Sequence, residues 1–382
     1  MKEIFVVAAK RTPFGRYQGW LSDYDAVDLG EIALKGSLKS IGLAAEQLDA
    51  LFMGNVLAAG LGQNMARQIA LNSGMTTSSS SVTINEVCGS SLKALRLAQG
   101  QMELGDFGLV AVGGSESMTN AAMFAADKTA PVQSTMLNDG LTDAFSGEHM
   151  GLTAENVAEK YQVSRDKLDA YSLESHQKAA HAQAAGYFKD EIIEMMVNGK
   201  TILQDENIRP DTSLAALGEL KPVFKANGQV TAGNSSPLSD GASMVILATA
   251  DKVKELGLQP LARLGAFAES GTDPAYMGFA PYYAIKQLLK TTHYQLNEYD
   301  VIEINEAFAA PSVALLEALA IAPEKLNIAG GAIAIGHPLA ATGTRLITTA
   351  INALKYRNGQ RALISLCIGG GQAIACELQR VD

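Results

Sequence analysis

A strand that ends in Ile-Asn-Glu and leads into a helical pattern occurs twice in this chain. The first copy ends at residues 84–86 and the second at residues 304–306. Apolar runs at 109–114 and 363–371, each ending in glycines, follow the two copies in the same order. Because apolar strands that alternate with helices are typical of parallel βαβ units, the repeat predicts an α/β fold made of two similar halves. Chance agreement between short apolar strings is the alternative interpretation.

The segment between the two halves has a different composition. Residues 118–130 are rich in methionine and alanine without a strong period, and residues 210–225 are rich in loop-forming residues. The sequence therefore predicts three parts: a discontinuous N-terminal core half at 1–117 and 240–259, an inserted loop domain at 118–239, and a C-terminal core half at 260–382. The strand ends of the two halves should converge on a common crevice, where α/β folds bind ligands.

The amino-acid composition excludes several classes of protein. Hydrophobic residues make up 47% and charged residues 18% of the chain, which is typical of a compact globular protein. A net charge of −10 argues against binding to nucleic acid or to an anionic membrane. Three widely spaced cysteines form no disulfide framework and favour a reducing compartment. With no apolar window of membrane-spanning length and an N-terminal apolar run too short for a signal peptide, the sequence predicts a soluble cytoplasmic protein.

Cys88 lies at the joint between a predicted strand and a predicted helix. The β-branched run at 82–84 indicates the end of the strand, and leucines at helical spacing follow, with Ser90 and Ser91 as candidate N-caps. The free N–H groups at a helix N-terminus favour a thiolate over a thiol. Gly89 lets a ligand approach the backbone because it has no Cβ. The pattern predicts a nucleophile, and a buried, inert thiol is the alternative for an isolated cysteine.

Two further residues that can do chemistry stand beside glycines near the C-terminus. His337 follows the glycine-rich loop 330–336 and precedes a predicted helix at 341–356. Cys367 ends an apolar strand and is followed by three glycines. Each alone has an ordinary structural interpretation, as a hydrogen-bonded loop histidine and a core thiol. Together with Cys88 they predict a nucleophile with two bases. No spacing of His, Cys, Asp or Glu has the pattern of a metal site.

Four segments resemble the signature motifs of the thiolase family. They are Asn-Glu-Val-Cys-Gly-Ser at 85–90, Asn-Glu-Ala-Phe at 305–308, Gly-His-Pro-Leu at 336–339 and Cys-Ile-Gly-Gly-Gly at 367–371. Supporting similarity lies at 62–68, 149–156 and 231–234. The motifs stand in the family's order, and the resemblance runs from the first predicted strand to the last. From its sequence, the chain is identified as a member of this family.

The resemblance implies both a fold and a chemistry. The fold is a five-layered αβαβα core made of two similar halves with an inserted loop domain. The substrates are coenzyme A thioesters, with no permanently bound cofactor and no metal. The implied activity is that of an acyl-CoA acetyltransferase, which forms or cleaves 3-ketoacyl-CoA. Such carbon–carbon chemistry needs an electrophilic acyl group, a base for a weakly acidic C–H and stabilisation of two oxyanions.

The family's catalytic roles fall on five residues of this chain. Cys88 is expected to be acylated, while His337 takes its proton and helps to hold one thioester oxygen. Cys367 is expected to move the α-proton of the second acyl group. Asn305 is expected to hold a water that completes the oxyanion hole with His337. The backbone N–H groups of Cys88 and Gly369 are expected to form a second oxyanion hole.

The resemblance also places coenzyme A against the inserted domain. The expected contacts are Leu141, His149, Met150, Arg209, Ser236 and Phe308. Plain core packing is the alternative for Leu141 and Met150, and a solvated surface charge is the alternative for Arg209.

Several positions depart from the family pattern or lie outside its motifs. The departures are Glu148, Ala216, Pro237 and Ala340, the last replacing a permissive glycine in the turn after the catalytic histidine. The remaining histidines, His176, His181 and His293, are expected to be exposed, and Cys376 is expected to fill a strand. These departures leave the four chemical groups intact, so they bear on substrate preference and not on the reaction.

The segment His-Met-Gly at 149–151 is typical of the family's short-chain, acetoacetyl-CoA branch. An imidazole over the pocket takes up space that a longer acyl tail needs; the alternative is that His149 caps the helix beginning near Thr153. A broad-range degradative 3-ketoacyl-CoA thiolase is the second interpretation. A decarboxylating ketosynthase and a catalytically silent coenzyme A-binding protein are further alternatives. The family suggests a homodimer or homotetramer whose partners are acyl-CoA substrates.

Overall fold

The computed structural model describes residues 2–381. Its strands are β1 (Ile4–Arg11), β2 (Gly15–Arg16), β3 (Ala50–Gly54), β4 (Ser80–Ile84), β5 (Leu109–Ser117), β6 (Met123–Phe124), β7 (Gln133–Ser134), β8 (Met195–Val197), β9 (Lys200–Ile202), β10 (Ser239–Thr249), β11 (Ala262–Gly271), β12 (Val301–Ile304), β13 (Arg361–Ile368) and β14 (Gln372–Arg380). Its α-helices are α1 (Ala26–Ser40), α2 (Met65–Asn72), α3 (Ser90–Leu104), α4 (Met150–Lys160), α5 (Arg165–Ala184), α6 (Leu214–Gly218), α7 (Ala250–Leu256), α8 (Pro281–Thr292), α9 (Ala309–Ala318), α10 (Ala332–Ile335) and α11 (Thr342–Arg357).

Helix ends follow local sequence signals. Helix α1 begins with a capping box, in which the Asp25 side chain accepts from the backbone of Asp28 and the Asp28 side chain accepts from the backbone of Asp25. Helix α3 ends at Gly105, whose φ of 95° is open to glycine and costly for most other residues. Both helices therefore have the bounds that their flanking residues dictate.

The two halves have the same strand order and direction. In the N-terminal half, β4, β3 and β5 are parallel neighbours, and β10 and then β1 follow as antiparallel neighbours. In the C-terminal half, β12 and β13 are parallel, and β14 and then β11 follow antiparallel. A single parallel bridge between Ile302 and Leu326 stands where the first half has β4. The prediction of two similar halves is confirmed.

The halves join into one mixed sheet where β1 pairs with β11. Within residues 2–381, two residue pairs make this antiparallel junction, Phe5 with Arg263 and Val6 with Ala262. Helices α3 and α11 pack against each other between the two parts of the sheet, and α11 contacts β1 and β10 as well as β12 and β13. Helices α1 and α2 cover the outer face of the first half, and α8 and α9 cover that of the second. This arrangement gives the five layers that the sequence predicts.

Strand β5 shows how residue alternation builds two separate cores. Val110 and Val112 belong to the central core with α3 and α11, whereas Leu109 and Ala111 belong to the outer core with α1 and α2. Side chains alternate between faces along a strand, so a fully buried strand needs apolar residues at every position. Complete burial of a valine or leucine side chain contributes about 1.5–3 kcal/mol.

The chain between β5 and β10 covers the core and contains α4, α5 and the short hairpins β6–β7 and β8–β9. Helices α4 and α5 pack against α9. The buried Arg11 of β1 ties this segment to the core through ion pairs with Glu191 at 2.8 Å and Asp205 at 2.6 Å. The exact division into domains at 117, 239 and 259 stays a prediction. None of the helices within residues 2–381 has the length and apolar character needed to cross a membrane.

Candidate active site

Cys88 lies in the short turn between β4 and α3, and its side chain is buried. The residue at the N-cap position is Gly89, and neither Ser90 nor Ser91 caps the helix with its side chain. Instead, the Ser90 hydroxyl donates to the carbonyl of Val87 and accepts from the backbone N–H of Glu86. The serine therefore braces the turn that carries the cysteine.

Val87, the residue before the cysteine, has a φ of 48°. A β-branched residue in the left-handed region is an outlier, and such strain costs about 1–3 kcal/mol. The Val87 side chain packs against both the central core and the outer core of the C-terminal half. This packing holds the strained backbone in place and fixes the direction in which Cys88 leaves the turn.

His337 connects the C-terminal half to Cys88. Its Nε2 lies 3.2 Å from Cys88 Sγ, and its Nδ1 lies 2.6 Å from Oγ1 of Thr342, the first residue of α11. If the thiol donates to Nε2, the imidazole proton is on Nδ1 and points at the Thr342 hydroxyl. The imidazole can then act as the base for the thiol, with Thr342 fixing its orientation.

Asn305 follows β12 and contacts the same imidazole. Its Nδ2 lies 3.4 Å from His337 Nε2. Its Oδ1 is buried and accepts no hydrogen bond from any residue within 2–381. A buried oxygen of this kind is normally satisfied by a water or a ligand. The expected role of Asn305 in holding a water fits this geometry and stays a prediction.

Cys367 is the residue before the last of β13. It lies close enough to Cys88 for a negative charge on either sulfur to disfavour a negative charge on the other. Gly369 follows two residues later, and a Cβ there would lie 2.6 Å from Cε of Met150. Any larger residue would have to displace Met150. The glycine therefore lets the inserted segment approach the backbone beside Cys367.

The thiols and the imidazole are uncharged at neutral pH. Burial, followed by the neighbouring Cys367, raises the pKa of the Cys88 thiol far above its ordinary value. Burial also raises the pKa of Cys367 to about 12. Burial, followed by the charge of Arg345, lowers the pKa of His337 to about 3. Loss of hydration outweighs the stabilisation of the Cys88 thiolate that the helix N-terminus provides.

A pH profile of thiol alkylation tests this charge state. With Cys88 held as a neutral thiol, its reaction with iodoacetamide should accelerate roughly tenfold per pH unit between about pH 7 and pH 9. A resting thiolate–imidazolium pair would instead react at a constant rate over this range. Mass spectrometry of the Cys88 peptide gives the rate, and a Cys88→Ser protein shows the background from the other two cysteines.

Glu116 is a site residue that the sequence analysis missed. It is fully buried at the end of β5 and accepts from the backbone N–H groups of Val56, Leu57 and Ala340. Burial raises its pKa to about 7 in spite of these hydrogen bonds. The carboxyl group thereby ties the loop after β3 to the loop after His337. The available signal was a single acidic residue in a strand that otherwise contains only apolar residues, glycines and serines.

Ala340 itself is unstrained. It lies in a short 3₁₀ turn at Leu339–Ala341 and is absent from the positive-φ positions among the described residues. The alanine therefore fits where the family usually has glycine, and its backbone N–H makes the bond to Glu116.

The expected coenzyme A contacts fall into two groups. His149, half-buried, stacks on Phe224 with ring centroids 4.6 Å apart, and Phe224 meets Phe308 edge to face at 6.2 Å. Met150 is buried between this group and the Cys367 loop, and Leu141 is half-buried. His149 also caps a helix, which is the alternative role that the sequence analysis gave it. Its Nδ1 accepts from the backbone N–H of Gly151 at the start of α4.

Arg209 belongs to the second group, which lies at a cavity. It is exposed and lines a cavity of about 170 Å³ together with His176, Ala216, Ser235 and Pro237. The hydroxyl of the neighbouring Ser236, half-buried, donates to the carbonyl of Ala307.

The expectation that His176 is exposed is wrong. Only 6% of the residue is accessible, because α5 places it under the loop that carries Arg209. Its Nδ1 accepts from the backbone N–H of Arg209 at 3.2 Å. Burial and the nearby guanidinium lower its pKa to about 4, so the ring is neutral and its proton lies on Nε2. His181 and His293 are exposed, as expected.

A buried cysteine from one α/β half is held against a histidine from the other, an arrangement typical of enzymes that transfer acyl groups through a thiol. Residues 4–251 match the family model for the thiolase N-terminal domain, and residues 258–380 match that for the thiolase C-terminal domain. The chain belongs to the thiolase family.

Named relatives are similar over their full length. The chain is 43% identical to the probable acetyl-CoA acetyltransferase of Escherichia coli and 42% identical to the acetyl-CoA acetyltransferase of Allochromatium vinosum, with 100% of both chains covered in each case. The crystal structure of human mitochondrial 3-ketoacyl-CoA thiolase is 38% identical with a TM-score of 0.97, covering 100% of this chain and 99% of that one. The structure of the same human protein in complex with CoA is 39% identical with a TM-score of 0.96, covering 100% of this chain and 98% of that one.

Proposed function

We propose that this protein is an acyl-CoA acetyltransferase that forms or cleaves 3-ketoacyl-CoA through an acyl group on Cys88. The observation that carries the proposal is the 3.2 Å contact between Cys88 Sγ and His337 Nε2, with Cys367 beside them. One sulfur can carry the acyl group while the other moves a proton. An acyl-cysteine divides the reaction into two easier steps.

In the cleavage direction, Cys88 Sγ attacks the 3-keto carbon and its proton passes to His337 Nε2. The bond between carbons 2 and 3 breaks, and its electron pair takes the proton of the Cys367 thiol, so that acetyl-CoA leaves. The thiol of coenzyme A then attacks the acyl-cysteine and gives its proton to the Cys367 thiolate. His337 returns its proton to Cys88, which restores both thiols. Condensation is the reverse sequence.

Two oxyanions need stabilisation in this scheme. The proton on His337 Nε2 and a water held by Asn305 serve one of them, and the backbone N–H groups of Cys88 and Gly369 serve the other. Each well-placed donor contributes about 3–4 kcal/mol in a site from which water is excluded. The buried Asn305 Oδ1 accepts no hydrogen bond within residues 2–381, and the side chain of Met150 lies close to the backbone of Gly369. Both observations support these roles.

Coenzyme A is the proposed substrate, with no resident cofactor or metal. Its proposed contacts are Leu141, His149, Met150, Arg209, Ser236 and Phe308. The aromatic group and Met150 suit the pantetheine arm, which is long and only weakly polar, and the cationic Arg209 suits a phosphate. Binding of CoA by the similar human structure supports the assignment. A cytoplasmic location and a homodimer or homotetramer stay predictions.

Initial rates of CoA-dependent cleavage test the function. The purified protein should cleave acetoacetyl-CoA into two molecules of acetyl-CoA, and the Cys88→Ser protein should not. Absence of CoA-dependent cleavage of both acetoacetyl-CoA and 3-ketodecanoyl-CoA by correctly folded protein would overturn the proposal.

Chain-length preference is a separate prediction. His149 and Met150 occupy the space beside the Cys367 loop, so a longer acyl tail should lose roughly 1 kcal/mol or more for each methylene that cannot be housed. We therefore expect a higher kcat/KM for acetoacetyl-CoA than for 3-ketodecanoyl-CoA. Equal or better use of the longer substrate would favour the broad-range degradative interpretation, which the similarity to the human 3-ketoacyl-CoA thiolase supports.

A further inference from the structure

The imidazole of His337 projects from a turn whose backbone conformation is open to few residues other than glycine. Helix α10 ends at Ile335, and the next residue, Gly336, has a φ of 117° and a ψ of 161°. The last carbonyl groups of a helix have no partners within the helix, and His337 follows this turn directly. The turn therefore needs side chains from elsewhere in the chain to fix the direction in which His337 leaves it.

Two buried side chains lie against this turn. Nδ2 of Asn207 donates to the carbonyl of Ile335 at 3.2 Å and to Oγ of Ser239 at 3.3 Å. The same Ser239 oxygen accepts from the backbone N–H of His337 at 3.2 Å. A Cβ on Gly336 would lie 2.5 Å from Ser239 Oγ and 2.8 Å from Asn207 Nδ2. Asn207 and Ser239 therefore hold the backbone on both sides of the glycine.

Each polar hydrogen in this arrangement has its own acceptor. The Ser239 hydroxyl donates to the carbonyl of Pro237 at 2.9 Å, so its two lone pairs can accept from Asn207 and His337. The two hydrogens of the Asn207 amide go to two different oxygens. Both side chains are buried. Displacement of the turn would leave buried polar groups without partners, which is costly.

Asn207 itself has anchored neighbours in the chain. Asp205, two residues earlier, forms the buried ion pair with Arg11 of β1. Ile208, the next residue, packs against a core cluster that includes the end of α10. Arg209, an expected coenzyme A contact, follows, and Asn207 lines the same cavity of about 170 Å³. The amide of Asn207 therefore has a fixed position from which to hold the turn.

We propose that Asn207 and Ser239 are positioning residues for the imidazole of His337. They place it to take the proton of Cys88, so the proposal rests on the proposed function. With both sides of the turn held, the imidazole keeps its 3.2 Å approach to Cys88 Sγ. Rotation of the backbone at Gly336 would move Nε2 away from the sulfur. An error of about 1 Å in such a contact can lower a rate by about 10²-fold.

Three substitutions remove these hydrogen bonds with little change of shape. Asn207→Leu puts in a side chain of the same shape that has no polar hydrogen. Asn207→Asp also keeps the shape, but it sets carboxylate oxygens against the Ile335 carbonyl and the Ser239 oxygen. Ser239→Ala removes a single oxygen atom. Ser37→Ala is the matched control, because Ser37 is also completely buried but its hydroxyl donates within α1, to the carbonyl of Ala33.

The test is single-turnover acetylation of Cys88 over a range of acetyl-CoA concentrations, followed on the Cys88 peptide by mass spectrometry. The rate at saturating acetyl-CoA should fall about tenfold or more in N207L and S239A, and further in N207D. The half-saturating concentration should stay within about twofold of the wild type, since Arg209 is intact. The double variant N207L/S239A should lose little more than the more affected single variant, because both residues act on one turn. S37A should match the wild type.

A merely structural role gives a different result. General loosening of this region would weaken the coenzyme A contacts at Arg209 and Ser236, so the half-saturating concentration would rise while the saturating rate stayed near that of the wild type. That result overturns the proposal, and so do saturating rates of N207L and S239A equal to the wild-type rate. If N207L does not fold, S239A decides the question by the same two criteria.

The same experiment separates this inference from the proposed function. A wild-type protein that acetyl-CoA never acetylates refutes the proposed function, and this inference with it. A wild-type protein that is acetylated, with variants that match it in saturating rate and in half-saturating concentration, refutes this inference alone.

Discussion

Incubation of the protein with acetyl-CoA is expected to leave one acetyl group on Cys88 and none on Cys367 or Cys376. Among the three cysteines, Cys88 is the one with an imidazole at hydrogen-bonding distance within residues 2–381, His337 Nε2 at 3.2 Å. Replacement of its sulfur in Cys88→Ser should lower thiolysis by about 10⁴-fold or more, because nucleophile and base act as a unit. Digestion and mass spectrometry locate the acetyl group, and initial rates on acetoacetyl-CoA give the loss.

Cys376→Ala is the matched control for this experiment. Cys376 is a fully buried thiol of β14 that belongs to the central core. Its removal should leave acetylation of Cys88 intact. An acetyl group on Cys367 or Cys376 with Cys88 unmodified would refute the assignment of the nucleophile.

The Cys367→Ala protein is expected to load an acetyl group onto Cys88 and then fail to form acetoacetyl-CoA. Acyl loading uses Cys88 and His337, whereas condensation also needs a base for the α-proton, which is the role given to Cys367. Loss of a general base lowers the rate by about 10²-fold or more. Single-turnover acetylation, followed by mass spectrometry, and steady-state condensation separate the two steps.

A Cys367→Ser protein refines the interpretation. The hydroxyl is smaller than the thiol and much less acidic, so it should restore packing without restoring proton transfer. If either variant condenses acetyl-CoA at nearly the wild-type rate, Cys367 is not the base. If both fail to acetylate Cys88, the residue serves the shape of the pocket and not the α-proton.

The architecture was accessible from the sequence because duplication leaves a periodic signal. Strands β5 and β13, which both run into glycines, sit at equivalent places in the two halves. The strands that end at Ile84 and Ile304 do not, because β12 takes the place of β3 and β4 is the outer neighbour of β3. The side chains with reactive atoms were accessible too. Each alone has an ordinary structural interpretation, but together Cys88, His337 and Cys367 stand in motifs that resemble those of one family. Apolar runs and reactive side chains can both be recognised from residues that are close together in the sequence.

Properties that depend on depth in the core were not accessible. Nothing in the sequence near Cys88 shows that burial raises the pKa of its thiol by more than the helix N-terminus lowers it. Glu116 bonds to backbone groups from loops far away in the chain, so no local motif marks it. His176 lies under the Arg209 loop only because α5 packs there. In each case the deciding contact is made by residues distant in sequence.

The pairing of β1 bears on how the chain acquires its fold during synthesis. Strand β1 is synthesised long before its neighbours β10 and β11, which begin only at Ser239 and Ala262. Both hydrogen-bonding edges of an apolar strand therefore stay open while the ribosome adds more than half of the chain, and open edges are templates for aggregation. Long-range pairings of this kind slow folding. Strand β1 can pair with β10 and β11 only after the inserted segment has been translated. The length of that segment therefore delays the pairing at the centre of the sheet, through which the two halves join.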